Sequence, residues 1–95
     1  MSKHNSGPWK ITHTAINGYR VNDSTGWGVA IVLKDVNDKA NAHLIAAAPQ
    51  ILEALEELVE LKDHRHSLPV EIYQESREKA WNKCRAAIAA AKGEV

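Results

Sequence analysis

The amino-terminal third of the chain alternates between apolar and polar residues with a period of two, which is typical of half-buried β-strands. The first stretch has Trp9, Ile11, His13 and Ala15 on one face and Lys10, Thr12 and Thr14 on the other. Asn17-Gly18 follows, a pair that tolerates the positive φ angles of a tight hairpin turn. A second strand is predicted over 19–22, with Tyr19 and Val21 on one side and Arg20 and Asn22 on the other.

A third strand is predicted after the turn residues Asp23-Ser24-Thr25-Gly26. Its strongly apolar face carries Trp27, Val29, Ile31 and Leu33, and its opposite face carries Gly28, Ala30, Val32 and Lys34. Short turns between successive strands predict a three-stranded antiparallel meander. We expect helices to cover the tryptophan side of this sheet, with Trp9 and Trp27 inward, and to leave the side of Arg20 free.

The period changes after Asp35, and two helices are predicted. Asn37 or Asp38 is a suitable N-cap, and 39–48 consists largely of alanine, the best helix former. Pro49 interrupts this stretch, because proline is tolerated at the start of a helix but not in its interior. A second helix is therefore expected from Pro49 to about Asp63, with an apolar stripe of Ile51, Leu52, Leu55, Leu58 and Val59.

A final helix is predicted from Pro69 to about Ala91, with Gly93 just past its end. Its apolar stripe contains Val70, Tyr73, Ala80, Trp81, Cys84, Ala87, Ile88 and Ala91. The predicted fold class is therefore α+β: a three-stranded antiparallel meander, a proline-broken helix pair, and a long C-terminal helix packed on one sheet face. We expect one domain over 8–92, with flexible ends at 1–7 and 93–95.

Composition narrows the function without identifying it. The 95 residues are 44% hydrophobic and 25% charged, as in ordinary globular proteins, and 12 basic residues balance 12 acidic ones. Zero net charge argues against a general nucleic-acid or membrane-surface binder. One cysteine excludes an intramolecular disulfide, so a cytoplasmic location is expected, and a core this thin favours a homo-oligomer.

Catalytic and metal-binding patterns are weak. His64 and His66 beside Asp63 provide too few ligands for a tetrahedral zinc site. Cys84 falls in an apolar helix stripe, which suits a buried thiol better than an activated nucleophile. Since nucleophile-elbow, phosphate-loop and dinucleotide motifs are also missing from the sequence, we expect no enzyme, no metal and no cofactor.

The face of the sheet that bears Arg20 is the best candidate for binding. It carries Lys10, Arg20 and Lys34 with Thr12, Thr14 and Asn22, and no acidic residue joins them. A guanidinium presents a fork of donors that matches phosphate or carboxylate. The predicted ligand-binding residues are Arg20, Lys10, Thr12, Tyr19, Trp27 and His43. A solvated face and a contact between copies of the chain remain open as alternatives.

A resemblance supplies a biological setting. Residues 40–49, Ala-Asn-Ala-His-Leu-Ile-Ala-Ala-Ala-Pro, resemble a motif of small accessory proteins of tailed phages and prophages. Those proteins often begin with a Gly-Pro-Trp stretch, here Gly7-Pro8-Trp9, and end with a helix similar to that at 81–88. In those proteins the residue at the position of His43 is often basic. The resemblance implies a phage accessory protein acting in a bacterial host, and no catalytic residue.

Three functional hypotheses follow from these observations. The first is a non-enzymatic counter-defence protein that sequesters a small anionic nucleotide-derived immune signal as a homo-oligomer. The second is a protein–protein inhibitor of a host defence complex, in which the acidic helix face Glu53, Glu56, Glu57 and Glu60 imitates nucleic-acid phosphate. A DNA-binding regulator ranks third, since the chain has no excess of positive charge.

Overall fold

The computed structural model describes residues 3–14 and 18–94. Within them, strands β1 (Lys10–Thr14), β2 (Gly18–Asn22) and β3 (Gly28–Val32) form one antiparallel sheet in the order β1-β2-β3. Helices α1 (Asp38–Ala46), α2 (Ala48–Asp63) and α3 (Val70–Ala91) follow, with a single 3₁₀ turn at Arg65–Ser67. The predicted α+β class and order of elements are confirmed. The strand position of Ala15 and the turn residue Asn17 lie outside the described residues.

Helix α1 covers one face of the sheet, and the small core lies between them. Val21 and Ala42 are fully buried and Val32 nearly so, with Trp9 and Ile11 packed at the border of this cluster. Alanine at position 42 allows the helix backbone to approach the sheet closely. The contact therefore selects small side chains on both surfaces.

The predicted orientation of β3 is wrong. Val32, expected on the free side, is buried under α1, whereas Trp27, Ile31 and Leu33 are 75%, 61% and 70% exposed. Arg20 pairs with Ile31 across the strands, so these two side chains share the uncovered face. Because side chains alternate along a strand, a change of phase by one residue turns every side chain to the other face.

Two physical causes account for this inversion. The pairing of β2 with β3 is irregular: Val21 lies opposite Ala30, but Asn22 lies opposite Gly28, so Val29 is an extra residue. The alternation of side chains that starts at Trp27 is therefore shifted by one residue after this point. In addition, close contact with α1 favours the smaller of the two apolar faces of β3, which holds Ala30 and Val32.

Helices α2 and α3 form an antiparallel hairpin. Ala47 joins α1 to α2, and Pro49 lies in the first turn of α2, as the predicted break requires. Side chains buried or half-buried along the hairpin seam are Ile51, Ala54, Leu58, Leu61, Ala80, Cys84 and Ala87. The expectation that the long C-terminal helix packs on a sheet face is corrected: α3 packs along α2 and against α1, and α1 lies on the sheet.

One side of the hairpin is closed by ion pairs. The Lys83 ammonium contacts the carboxylates of Glu53, at 3.2 Å, and of Glu57. Hydrogen bonding to Glu57, and next to Glu53, raises the pKa of Lys83 above its ordinary value. Two members of the acidic helix face are thus already paired within the chain.

The turn before β3 is organised by one buried carboxylate. Asp23 Oδ1 accepts hydrogen bonds from the Thr25 amide at 2.9 Å, the Thr25 hydroxyl at 2.7 Å and the Trp27 amide at 3.0 Å. Asp23 Oδ2 accepts from the side-chain amide of Asn5 at 3.1 Å. The Thr25 hydroxyl, followed by these amides, lowers the pKa of the Asp23 carboxyl. The segment before β1 is thereby attached to the sheet.

Enlarging the side chain at position 42 should destabilise the protein. Ala42→Leu would force α1 away from Val21 and Val32, so we expect a loss of about 1–3 kcal/mol in the free energy of unfolding. Ala40→Leu, on the exposed side of the same helix, is the matched control and should change it by less than about 0.5 kcal/mol. Urea unfolding followed by circular dichroism measures both, and equal stability of the two variants would contradict the packing described.

The Asp23 network should make stability depend on acid. Since the folded state lowers the pKa of this carboxyl, its contribution is present at neutral pH and is lost as the pH falls below about 4. Asp23→Asn should therefore have a lower thermal midpoint at pH 7, and its midpoint should fall less steeply between pH 5 and pH 3. Asp35→Asn, at an exposed carboxylate, serves as the control. Parallel pH profiles for wild type and Asp23→Asn would exclude this role.

Candidate functional site

The candidate site is the sheet face opposite α1, called here the open face. Its residues are Lys10, Thr12, Thr14, Arg20, Asn22, Val29 and Ile31. Thr12, Arg20 and Ile31 lie side by side across the three strands, since Arg20 pairs with both neighbours. The expectation that helices leave Arg20 uncovered is confirmed, because this side chain is exposed.

Arg20 is positioned by a glycine on the neighbouring strand. A Cβ placed on Gly28 would lie 2.7 Å from Arg20 Nη2 and 2.9 Å from Nε, so the guanidinium rests directly against the β3 backbone. In the part of the chain that the structure describes, the ion pairs are those of Lys83, and no carboxylate pairs with Arg20. The guanidinium therefore presents hydrogen-bond donors and a positive charge at the surface of a shallow depression lined also by Val29 and Ile31.

Polar side chains on the first two strands support this arrangement. The Asn22 side-chain amide donates a hydrogen bond to Thr12 Oγ1 at 3.2 Å, and the Thr12 hydroxyl donates weakly to the Arg20 carbonyl at 3.5 Å. Among the described residues, Asn22 Oδ1 is a buried oxygen without a hydrogen-bond partner. Hydrogen bonds between neighbouring residues thus order the polar half of the open face, and the Asn22 Oδ1 acceptor has no partner among the described residues.

The structure separates the predicted aromatic residues from Arg20 in different ways. Tyr19 lies on the α1 side of the sheet and meets the His13 ring edge-to-face, with centroids 5.0 Å apart. It cannot stack on an open-face ligand beside Arg20, so its assignment to this site is corrected. Trp27 is exposed in the turn immediately before Gly28, so its expected core position is wrong.

His43 lies away from the open face, on α1. Its ring packs against Gly93, where an added Cβ would come within 2.9 Å of His43 Cδ2. Gly93 has a φ of 74°, a conformation that favours glycine after the end of a helix. His43 therefore connects α1 to the end of α3, and the structure does not bring it together with Arg20, Lys10 and Thr12.

Sequence reasoning missed the apolar half of the site. Ile31 and the half-buried Val29 flank Arg20, and Leu33 continues the exposed apolar surface beyond β3. The alternation of this strand marks the same residues, although it predicts them in the core. Exposed apolar residues around an arginine have the composition of protein-binding surfaces.

The described residues give little support for a metal site, a reactive cysteine or a membrane-spanning helix. They contain no group of three or more His, Cys, Asp or Glu residues that could hold a metal ion. Cys84 is half-buried in the hairpin seam. Within residues 3–14 and 18–94, no helix is both long and apolar enough to cross a membrane.

These features define a small α+β protein with one covered and one open sheet face. Over residues 1–95 the chain matches the family described as Salmonella phage P22 protein Y8K6, and it belongs to that family. No curated protein and no solved structure matches the chain significantly. The expectation of a small phage protein is confirmed, and the motif at 40–49 remains a resemblance.

Proposed function

We propose that this phage protein is a non-enzymatic inhibitor that binds a host defence protein through its open face. The observation that carries the proposal is the exposed Arg20 guanidinium, free of carboxylate partners among the described residues and bordered by exposed Ile31 and half-buried Val29. Arginine is among the residue types that most often dominate binding energy at protein interfaces.

The shape of the open face favours a protein partner. Small-molecule sites are concave and bury about 70–90% of the ligand surface. The depression beside Arg20 is shallow and open, and its walls are the side chains of one sheet layer. A flat surface with an apolar centre and polar neighbours such as Thr12 and Asn22 instead matches the core and rim of a protein interface.

The phage family supplies the setting, and the defence target is an inference by analogy. The acidic surface on α2 supports such an inhibitor less well than the open face does. Glu53 and Glu57 share the single positive charge of Lys83, so one of the four negative charges of the proposed phosphate mimic is offset within the chain. We therefore assign the contact surface of the proposed inhibitor to the sheet.

Sequestration of a small anionic nucleotide-derived signal is the second candidate. Arg20, Thr12 and Lys10 share one face, and a guanidinium beside a hydroxyl suits phosphate recognition. Because a single copy does not enclose a ligand there, this function would require another chain to cover the open face.

Loss of the open-face contacts should abolish inhibition. Arg20→Ala and Ile31→Asp should each weaken binding to the partner by about 30-fold or more, the effect of removing an interface hot spot. The readout is the plating efficiency of a phage on a panel of defended hosts that produce the chain. Lys39→Ala, at an exposed position of α1, is the control and should keep full protection. Lack of protection by wild type on every defended host would overturn the proposal.

Gly28→Ala provides a finer probe of the same surface. The three atoms nearest to the added methyl group belong to the flexible Arg20 head, which it would displace, so protection should fall while helix and sheet content stay unchanged. Full protection by this variant would show that the position of the guanidinium is unimportant.

Calorimetric titration separates the two candidates. Cyclic dinucleotides and ADP-ribose derivatives should give no heat with the purified protein if its partner is a protein. Heat that disappears in Arg20→Ala would instead establish sequestration.

A further inference from the structure

The α2–α3 hairpin has an apolar face that no part of the described chain covers. Its members are Leu52, Leu55, Val59, Val70, Trp81 and Ile88, which are 40–71% exposed. This surface belongs to the helices and is separate from the open face of the sheet. It is called here the hairpin face.

Helix geometry places these side chains on one side. Leu55 follows buried Ala54, and Trp81 and Ile88 follow buried Ala80 and Ala87. Each of these side chains is therefore rotated about its helix axis by about 100° from the residue that faces the seam. Because α2 and α3 run in opposite directions and face each other, this rotation brings the side chains of both helices to the same side of the hairpin.

The ion pairs confirm this division of the hairpin. Glu53, Glu57 and Lys83 each precede a seam residue, so they are rotated in the opposite sense. The two sides of the hairpin thus differ: among the described residues, the side with the ion pairs has one exposed large apolar side chain, Ile72, and the other side has the six named above.

In a single layer of two helices, each helix packs against its neighbour but not against a second layer, as it would in a normal core. The molecule measures 54 × 26 × 15 Å, and its radius of gyration of 16.2 Å exceeds the roughly 12 Å of a compact domain of this length. Stable domains bury the apolar stripe of each helix against a second layer. Among residues 3–14 and 18–94, nothing packs on the hairpin face as a second layer.

We propose that a second copy of the chain supplies this layer. Two hairpins packed by their hairpin faces form an antiparallel four-helix bundle, with Trp81 near the centre of each contact surface. Helix α2 is about 24 Å long and α3 about 33 Å, and two packed helices present a face roughly 20 Å wide. Such a face buries about 1,000–1,300 Å² in total, which reaches the size of a specific interface.

Charge selects the arrangement within the bundle. Helix α2 has five acidic residues and one lysine, a net charge of −4, whereas α3 has four basic and three acidic residues, a net charge of +1. A two-fold axis parallel to the helices packs α2 of one copy against α3 of the other. A two-fold axis perpendicular to the helices, in the plane of the interface, would instead pack α2 against α2. The first arrangement sets Glu56 and Asp63 near Arg77 and Arg85, and avoids contact between two strongly acidic helices.

Light scattering with analytical ultracentrifugation tests the dimer. Wild type should have twice the 10.5 kDa mass of one chain, and Leu55→Lys should have the mass of one chain with its helical circular dichroism retained. Gln50→Lys adds the same residue to the polar side of α2 and should remain dimeric. A wild-type protein of single-chain mass at millimolar concentration, or a dimeric Leu55→Lys, would overturn the proposal.

A charge-reversal pair tests the arrangement even if Leu55→Lys unfolds. One variant carries Glu56→Lys, Glu60→Lys and Asp63→Lys, and the other carries Arg77→Glu and Arg85→Glu. Each alone should self-associate at least tenfold more weakly than wild type at low salt, and an equimolar mixture should recover the dimer. Unchanged self-association of the separate variants, or no recovery on mixing, would contradict the pairing of α2 with α3. Because none of these residues lies on the open face, the result is independent of the proposed function.

Discussion

The close contact between Ala42 of α1 and the valines of the sheet is the constraint on which the rest of the structure depends. The fully buried centre of this contact consists of small side chains, and Val21 and Val32 face the helix there. That choice turns the bulkier Ile31 and the charged Arg20 to the opposite side. Burial of a few small residues thus creates an uncovered surface that is apolar and basic together.

The elements follow from local physical chemistry, and the sequence predicts them well. Proline at position 49 and glycine at position 93 mark the start of α2 and the end of α3, because each residue restricts or permits particular backbone angles. The orientation of β3 does not follow from local pattern. Both of its faces are apolar, and the irregular pairing at Asn22 shifts the phase, so only the packing partner decides which face is buried.

The site and the hairpin show the same limit. The free position of Arg20 follows from alternation along β2, but its neighbour Ile31 depends on the orientation of another strand. Likewise, Leu55 and Leu58 fall within one apolar stripe in the sequence, although Leu58 lies in the seam and Leu55 faces outward. A stripe this wide spans two contact surfaces of α2. Helix α3 covers one of them, and no described residue covers the other.

Nuclear Overhauser effects from the Ala42 methyl group test the central claim most directly. In a protein labelled at its alanine, isoleucine and valine methyl groups, Ala42 should show strong cross-peaks to Val21 and Val32 and none to Ile31. Cross-peaks from Ala42 to Ile31, with Val32 free of contacts to α1, would show that the helix covers the other face and would contradict the account.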